Sequence, residues 1–231
     1  MNSAYDRHVV FPTKLGKSTS KQIDGASPTV VVPVGSTEQH GPHLPLDTDT
    51  RIATAVAHAV VAAQPEPAVL APAIAYGASG EHQAFAGTVS IGTAALKTLL
   101  VEFGRSACEW TRRVVFVNGH GGNLDALVAA VRCLRLEGRD AAWCPCSAPG
   151  GDSHAGHTET SILLHLSPET VRIDQARAGN VSPLAELMST MRHGGVAAVS
   201  EVGVLGDPTT ATAAAGARLF TGMVDDCVGR V

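Results

Sequence analysis

Short apolar runs alternate with longer amphipathic stretches along most of the chain. Four runs bounded by Gly, Pro or charged residues predict buried strands, at residues 30–34, 69–71, 113–117 and 140–144. Four stretches with apolar side chains at helical spacing predict helices, at residues 48–63, 93–110, 124–136 and 158–166. Strands and helices that alternate in this way favour an α/β fold with a mainly parallel central sheet.

Polar residues at the predicted helix starts are candidates for helix caps. Asp47 or Thr48 is expected to cap the helix at residues 48–63, and Thr93 is expected to cap the helix at residues 93–110. A side-chain oxygen at such a position accepts a hydrogen bond from an otherwise unpaired N–H group of the first turn.

The length and composition favour one large domain. The chain has 231 residues, and no Pro/Ser-rich linker, charge run or repeat divides it. Residues 1–27 are polar and rich in Ser and Lys, so we expect an N-terminal arm with a short strand or helix near residues 18–23. Residues 28–231 are expected to form a single domain. Hydrophobic residues make up 45% of the chain but aromatic residues only 4%, which suits helices packed on a buried Val/Ala/Leu sheet.

Charge and cysteine usage exclude several classes of protein. The formal charge is −4 with the signs scattered, so there is no basic face for nucleic acid. No apolar stretch approaches the roughly 20 residues of a membrane span, and the N-terminus lacks the apolar centre of a signal peptide. Of the five cysteines, Cys144 and Cys146 are too close for an ordinary disulfide framework. We therefore expect reduced thiols and a cytoplasmic protein, with a zinc role for this pair as the alternative.

The stretch at residues 30–50 contains acidic and imidazole side chains that follow the first predicted strand. Polar groups at this position lie where α/β sheets bind ligands. Carboxylates together with imidazoles suit a divalent transition metal, whereas the alternative is a solvated Gly/Pro-rich turn. The side chains concerned are Glu38, His40, His43, Asp47 and Asp49.

A second polar turn, NGHGGN at residues 118–123, follows the third predicted strand and opens a helix. The glycines allow a tight turn and a close approach to a ligand. A phosphate cradle is one possibility, but neither a G-x-G-x-x-G pattern nor a Walker Lys is present. His120 is better placed as an imidazole ligand, and Asn118 and Asn123 are expected to brace the loop by hydrogen bonds.

Two further glycine-rich stretches carry titratable residues. Residues 150–161 contain His154, His157 and Glu159, and Glu159 is expected in the first turn of a helix. Residues 72–92 contain Glu81 and His82, for which a solvent-exposed loop is favoured over a substrate-facing wall.

These clusters share one topological position, the end of a strand or the start of the following helix. A parallel sheet brings such ends together at one edge, so the clusters are expected to meet. Carboxylates and imidazoles with one shared aspartate can hold two divalent ions, which activate water and polarise a carbonyl. A nearby histidine that does not bind metal can transfer the proton to a leaving amine. The predicted chemistry is amide hydrolysis, and no G-x-S-x-G elbow competes with it.

The chain resembles the creatininase family in the blocks GSTEQHGPHLPLDTD, GEHQAFAGTVSIG, FVNGHGGN, HAGHTETS and GVLGDPTTATAAAG, taken in order. The resemblance implies a three-layer αβα fold, a dinuclear metal site, hydrolysis of a C–N bond and a homohexamer. It makes Glu38 and His120 ligands of one metal, assigns His40 to the other and lets Asp49 bridge them. His154 falls on the family's catalytic histidine.

The chain also departs from creatininase. The metal-binding Glu that follows the NGH turn there is replaced by Gly122 here, and Glu159 is the nearest substitute ligand and a further candidate for catalysis. The tryptophans of the creatinine pocket have no counterpart, because Trp110 falls in a helix and Trp143 in a strand. Creatinine is therefore not the expected substrate.

Within the family, the loops and the N-terminal arm resemble a peptidase that removes a C-terminal Val-Tyr dipeptide from a modified precursor peptide. The first alternative is a formamide hydrolase of flavin or deazaflavin synthesis, and the second is a metal-binding assembly protein without turnover. Mixed nitrogen and oxygen ligands admit Fe²⁺, Zn²⁺ or Mn²⁺. The predicted metal ligands are Glu38, His40, Asp49, His120 and Glu159, and the predicted catalytic residues are His154 and Glu159.

Overall fold

The computed structural model describes residue 11 and residues 13–231, and its centre is a four-stranded parallel sheet in the order β2-β1-β3-β4. The strands are β1 (Thr29–Val34), β2 (Ala68–Leu70), β3 (Arg113–Asn118) and β4 (Ala141–Pro145). The described α-helices are α1 (Ser20–Ile23), α2 (Thr48–Ala63), α3 (Gly92–Ala107), α4 (Leu124–Leu136), α5 (His157–Leu166), α6 (Leu184–Gly194) and α7 (Ala213–Arg230).

The sheet lies between two layers of helices, because successive strand residues point to opposite faces. Val31 and Val115 face a core shared with α2, α5 and α7. Val30, Val32 and Phe116 face a second core shared with α3 and α4. The expected α/β class, the parallel sheet and the three-layer αβα arrangement are confirmed.

The sheet has its topological switch point between β1 and β3. These two central strands pair in parallel, from Thr29 opposite Arg113 to Val34 opposite Asn118. The helix that follows β1 packs on one face, whereas the helix that follows β3 packs on the other. The chain therefore leaves the two strand ends in opposite directions, and a crevice for ligands opens between them.

The predicted strands lie within one or two residues of the observed ones. Asp47 occupies the N-cap position of α2 as expected, although without a capping side-chain bond, whereas the expected cap at Thr93 is wrong. The Asp47 side chain does not bond an N–H of the first turn of α2, because its Oδ1 accepts from Arg51 Nε at 2.7 Å. Helix α3 starts before Thr93, with Ile91 at the cap position. A tertiary hydrogen bond from Ile91 N to Gly77 O, 2.9 Å long, holds the chain at the start of α3.

Part of the N-terminal segment lies along the edge of the sheet. Leu70 N donates to Thr13 O at 2.9 Å, and Lys14 forms a parallel bridge with Leu70. The short helix α1 falls in the region where a strand or helix was expected. Residues 1–10 and 12 of the predicted arm lie outside the described residues.

Helices α6 and α7 were not predicted. Helix α7 packs so closely on α5 that a Cβ at Gly216 would lie 1.8 Å from Ser161 O. Helix α6 is mostly exposed, with only Leu187 buried. No helix in the described part of the chain combines the length and hydropathy that a bilayer crossing requires.

Candidate metal centre

Loops at the carboxyl ends of β1, β3 and β4 bring six predicted site residues together. Glu38 and His40 follow β1, His120 follows β3, and the segment after β4 carries His154. The first turns of α2 and α5 add two carboxylates. The six residues fall into three overlapping groups whose possible ligand atoms lie within 4.8 Å of one another. The groups are Glu38, Asp49 and His120; His40, Asp49 and Glu159; and Glu38, His40 and His154.

The first group lies between the two central strands. Glu38 Oε2 is 3.2 Å from His120 Nε2, and Asp49 Oδ2 is 3.3 Å from His120 Nδ1. Ser36 Oγ donates to Asp49 Oδ2 at 2.6 Å, which fixes that carboxylate.

The second group shares Asp49 with the first. His40 Nε2 is 3.0 Å from Asp49 Oδ1 and 3.7 Å from Glu159 Oε2. Ala155 N donates to Glu159 Oε2 at 2.6 Å and orients this carboxylate. The structure thus places the predicted pairs Glu38 with His120 and His40 with Glu159 on either side of the expected shared aspartate.

The carboxylate of Glu38 is the most unusual group in the cluster. Its side chain is 0% exposed, and neither oxygen has a hydrogen-bond partner among the described residues. Burial and the nearby Asp49 charge raise the pKa of Glu38 to about 7. A buried carboxylate in this state is costly unless a positive charge compensates it. The residues therefore fit a bound cation.

The other members show how strongly the cluster concentrates charge. Burial lowers the pKa of His40, but Asp49, Glu159 and Glu38 outweigh it and raise the pKa to about 10. For His120, burial is likewise outweighed by Glu38 and Asp49, and the pKa rises to about 9. Burial raises the pKa of Glu159 to about 7. The charges of these carboxylates and imidazoles therefore do not fully cancel one another in this buried space.

The NGHGGN turn is braced by side-chain hydrogen bonds and leaves no room for a side chain at Gly122. Asn118 Nδ2 donates to His120 O at 2.7 Å, and Asn123 Nδ2 donates to Gly35 O at 3.0 Å. The predicted bracing role of the two asparagines is confirmed. A Cβ at Gly122 would lie 2.3 Å from Ala78 O and 2.5 Å from His120 Nε2. A carboxylate ligand cannot occupy this position in the present geometry, whereas Glu159 reaches the cluster from α5.

His82 was missed as a site residue. The favoured interpretation of a solvent-exposed loop is wrong for it, because His82 is 4% exposed and its Nε2 is 3.3 Å from Glu38 Oε1. Its ring centroid is 4.3 Å from that of His154. Glu81 is half-buried, with Oε1 3.5 Å from His120 Nε2. The glycine-rich composition of residues 72–92 was the signal that pointed to this segment.

Several candidate residues do not join the cluster. Asp47 pairs with Arg51, and His157 Nδ1 bonds Thr210 Oγ1 at 2.9 Å. His43 is buried but bonds Thr160 Oγ1 at 2.8 Å. None of the cysteines takes part in a metal-capable group of the described chain, so the zinc alternative has no support; they are free thiols at Cys108, Cys133, Cys144, Cys146 and Cys227.

A cavity of about 550 Å³ opens directly onto the cluster. Asp49, His120, His154 and Glu159 line its floor, together with the Gly119–Gly122 backbone. One wall belongs to α6 and consists of Leu184, Met188, Met191 and Arg192. The cavity therefore joins apolar side chains of α6 to the buried donors.

The fold and the site together define a hydrolase that acts on amide C–N bonds. The creatininase family model, described as creatinine amidohydrolase, matches residues 16–231, and the chain belongs to this family. The chain is 67% identical over 235 residues to the mycofactocin precursor peptide peptidase of Mycolicibacterium smegmatis, covering 100% of this chain and 95% of that protein.

Solved structures of creatininases share the fold. The crystal structure of creatinine amidohydrolase (creatininase) superposes with a TM-score of 0.79 at 23% identity, covering 94% of this chain and 96% of that one. A structure titled creatininase Mn gives a TM-score of 0.78 at 24% identity, with the same coverage.

Proposed function

We propose that this protein is a metal-dependent peptidase that acts on the mycofactocin precursor peptide. The 67% identity to the relative of that name, along the whole length of this chain, is the observation that carries the proposal. The bond to be cut is the amide that releases the C-terminal Val-Tyr dipeptide, as the resemblance to this peptidase implies.

Two divalent cations fit the cluster. Glu38, Asp49 and His120 would hold one ion, and His40, Asp49 and Glu159 would hold the other. The unpartnered buried oxygens of Glu38 support this assignment more directly than the grouping alone. Manganese is named for one structural neighbour, and the nitrogen and oxygen donors suit Fe²⁺ and Zn²⁺ equally well.

His154 is the proposed proton-transfer residue. When bound, the cations supply a Lewis acid that polarises the scissile carbonyl and activates water near neutral pH. His154 Nδ1 is 3.8 Å from Glu38 Oε1, and the ring lines the cavity. Burial and the neighbouring His40 and His82 hold the pKa of His154 well below its usual range, so the ring is neutral. A neutral imidazole can take a proton from water and pass it to the leaving amine.

The α6 wall fits a peptide. Leu184, Met188 and Met191 offer an apolar surface to side chains near the scissile bond. Arg192 lies on the same wall and makes no ion pair with any residue that the structure describes. A guanidinium in this place suits a carboxylate of the peptide, either its C-terminus or an acidic side chain.

The direct test incubates metal-loaded protein with the modified precursor peptide and follows released Val-Tyr by mass spectrometry. Stoichiometric release, abolished by a chelator and restored by added metal, is expected. Turnover of a small formamide without peptide cleavage would favour the formamide hydrolase instead. Metal binding without turnover of either substrate would favour the assembly protein.

The remaining parts of the proposal concern organisation. We infer an arm at residues 1–27, a single domain at residues 28–231 and a homo-oligomer, the hexamer that the family resemblance implies. Light scattering coupled to size-exclusion chromatography measures the assembly. The free thiols support a location in the cytoplasm, where such groups stay reduced.

A further inference from the structure

Gln39 lies between His82 and His154, two of the histidines that face Glu38. Its Nε2 is 2.8 Å from His82 Nδ1, 3.0 Å from His154 Nε2 and 2.9 Å from Gly203 O. The side chain is 5% exposed. Gln39 is not itself a member of the three metal-capable groups, but it contacts two rings that face the cluster.

The orientation of the Gln39 amide follows from its backbone partners. Gly41 N donates to Gln39 Oε1 at 2.9 Å, so this atom is the acceptor end. Gly203 O accepts only, so Gln39 Nε2 must be the donor end. A flipped amide would set donor against donor at Gly41 and acceptor against acceptor at Gly203. A Cβ at Gly203 would lie 2.0 Å from Gln39 Oε1, so only glycine admits the amide here.

The backbone of Gln39 decides the proton position on His154. His154 Nε2 is 2.9 Å from Gln39 O, and a carbonyl oxygen can only accept. Nε2 therefore carries the hydrogen, and Gln39 O has no other partner among the described backbone hydrogen bonds. The neutral His154 ring then has its free lone pair on Nδ1, the atom nearest Glu38.

The side chain of Gln39 decides the proton position on His82. An amide nitrogen has two hydrogens, and with His154 Nε2 acting as a donor they go to Gly203 O and His82 Nδ1. His82 Nδ1 is then the acceptor, so the hydrogen lies on Nε2, the atom that is 3.3 Å from Glu38 Oε1. This arrangement pairs all three acceptors around Gln39, whereas donation to His154 leaves Gln39 O unpaired.

We propose that Gln39 is a positioning residue that fixes the tautomers of His154 and His82. Its carbonyl leaves Nδ1 of His154 free as the proton acceptor, and its amide places the hydrogen of His82 on Nε2, the ring nitrogen 3.3 Å from Glu38 Oε1. The inference rests on the proposed amide hydrolysis, for which it names the accepting atom. Both rings therefore carry their hydrogen on Nε2, but Nδ1 of His154 stays free whereas Nδ1 of His82 accepts from Gln39.

Neutron diffraction of perdeuterated, zinc-loaded protein tests the proposal without any turnover. Deuterium is expected on Nε2 of both His154 and His82, and none on either Nδ1. Deuterium on Nδ1 of His154, or on Nδ1 of His82, would overturn the assignment. A protein inactive on the peptide would end the proposed function but leave this readout standing, so the two failures are distinguishable.

The variant Gln39→Glu sharpens the test. It places an acceptor opposite His82 Nδ1, so the deuterium on His82 should move to Nδ1, while that on His154 stays on Nε2. Gln39→Met removes the donor and acceptor at similar length. Both variants should lower kcat about 10–100-fold with zinc content unchanged, as losses of outer hydrogen bonds do.

The matched control is Gln175→Met, at an exposed glutamine far from the cluster in sequence. It should leave kcat and both tautomers unchanged. A normal kcat in Gln39→Glu, or an unmoved deuterium on His82, would contradict the positioning role. Thermal unfolding of each variant shows whether a lower rate is caused by loss of the folded structure. If a variant does not fold, the neutron map of the unchanged protein decides the assignment.

Discussion

The floor and the wall of the cavity are built in opposite ways. The floor consists of buried carboxylates and imidazoles held by short loops at strand ends, with Glu38 and His40 both 0% exposed. The wall is one face of α6, a helix with Leu187 as its only buried residue. The proposed chemistry, which needs fixed distances, would therefore lie on the sheet, whereas the proposed contacts with the peptide would lie on a weakly packed helix.

The difference separates two kinds of kinetic effect. Changes in the floor should act on kcat, because they alter groups that hold ions or move protons. Changes in the wall should act on KM, because they alter contacts made before and during the reaction alike. Three substitutions test this division, in order of expected effect, and a fourth, outside the floor and the wall, tests stability alone.

Asp49→Asn should have the largest effect, because Asp49 belongs to both proposed ion sites. Asparagine keeps the shape but loses the charge, so the protein should retain less than one equivalent of metal. Activity should fall at least ~10³-fold, which corresponds to the several kcal/mol that metal catalysis supplies. Elemental analysis and peptide cleavage measure the two losses.

The control for that variant is Asp47→Asn, two residues earlier, whose carboxylate pairs with Arg51 outside the cluster. It should bind metal and cleave peptide as the unchanged protein does. Full metal content in Asp49→Asn would refute the shared-ligand assignment.

His154→Ala should come second. The ring that lines the cavity is lost, but both proposed ion sites keep their ligands, so kcat should fall about 10²–10⁴-fold at unchanged metal content. His157→Ala is the matched control, since His157 bonds Thr210 away from the cluster. Loss of metal together with activity would show that His154 is a ligand in the group with Glu38 and His40 instead.

Arg192→Met should come third and should change KM rather than kcat. Losing a charge-assisted hydrogen bond on the exposed wall costs roughly 1.5 kcal/mol, so KM should rise about tenfold. A peptide with a C-terminal amide should show the same increase in the unchanged protein if the C-terminus is the partner. Arg177→Met, also exposed, is the control. Equal KM values for acid, amide and variant would remove Arg192 from substrate binding.

His43→Gln should have the smallest effect and should appear only in stability. Burial and the nearby His40 lower the pKa of His43 to about 4, so the unfolded chain binds this proton more readily than the folded one. The contribution of His43 to the free energy of unfolding is full above pH 6.5 and declines as the pH falls toward 4. When the pH falls from 7 to 5, the free energy of unfolding of the metal-free unchanged protein should decrease by about 1–2 kcal/mol more than that of the variant.

Urea unfolding of both proteins at each pH, with chelator present, measures that difference. Subtraction removes the contribution of the other titrating groups, which the two proteins share. A difference that stays constant between pH 7 and 5 would show that His43 does not titrate as the buried position implies.

Most of the sheet and the donors of the floor were predictable. Continuous Val-rich runs such as residues 30–34 are buried on both faces, so their position follows from local composition. Glu38, His40 and His120 follow strands directly, and parallel strands end at one edge. Helix α7 was harder to predict, because its Ala/Gly-rich surface shows little alternation between apolar and polar positions. This surface is buried chiefly by α5.

The amino-acid order alone determined the strand–helix alternation, the motifs that indicate the class of chemistry and which acidic and imidazole residues follow the strands, because these depend on neighbours a few positions apart. Only the tertiary structure decided that His82 lies beside Glu38, that Gly122 has no room for a side chain and that Gln39 bonds Gly203 across the fold. Such contacts join residues far apart in the chain, and they form only when the sheet edge and the loops around it are packed together.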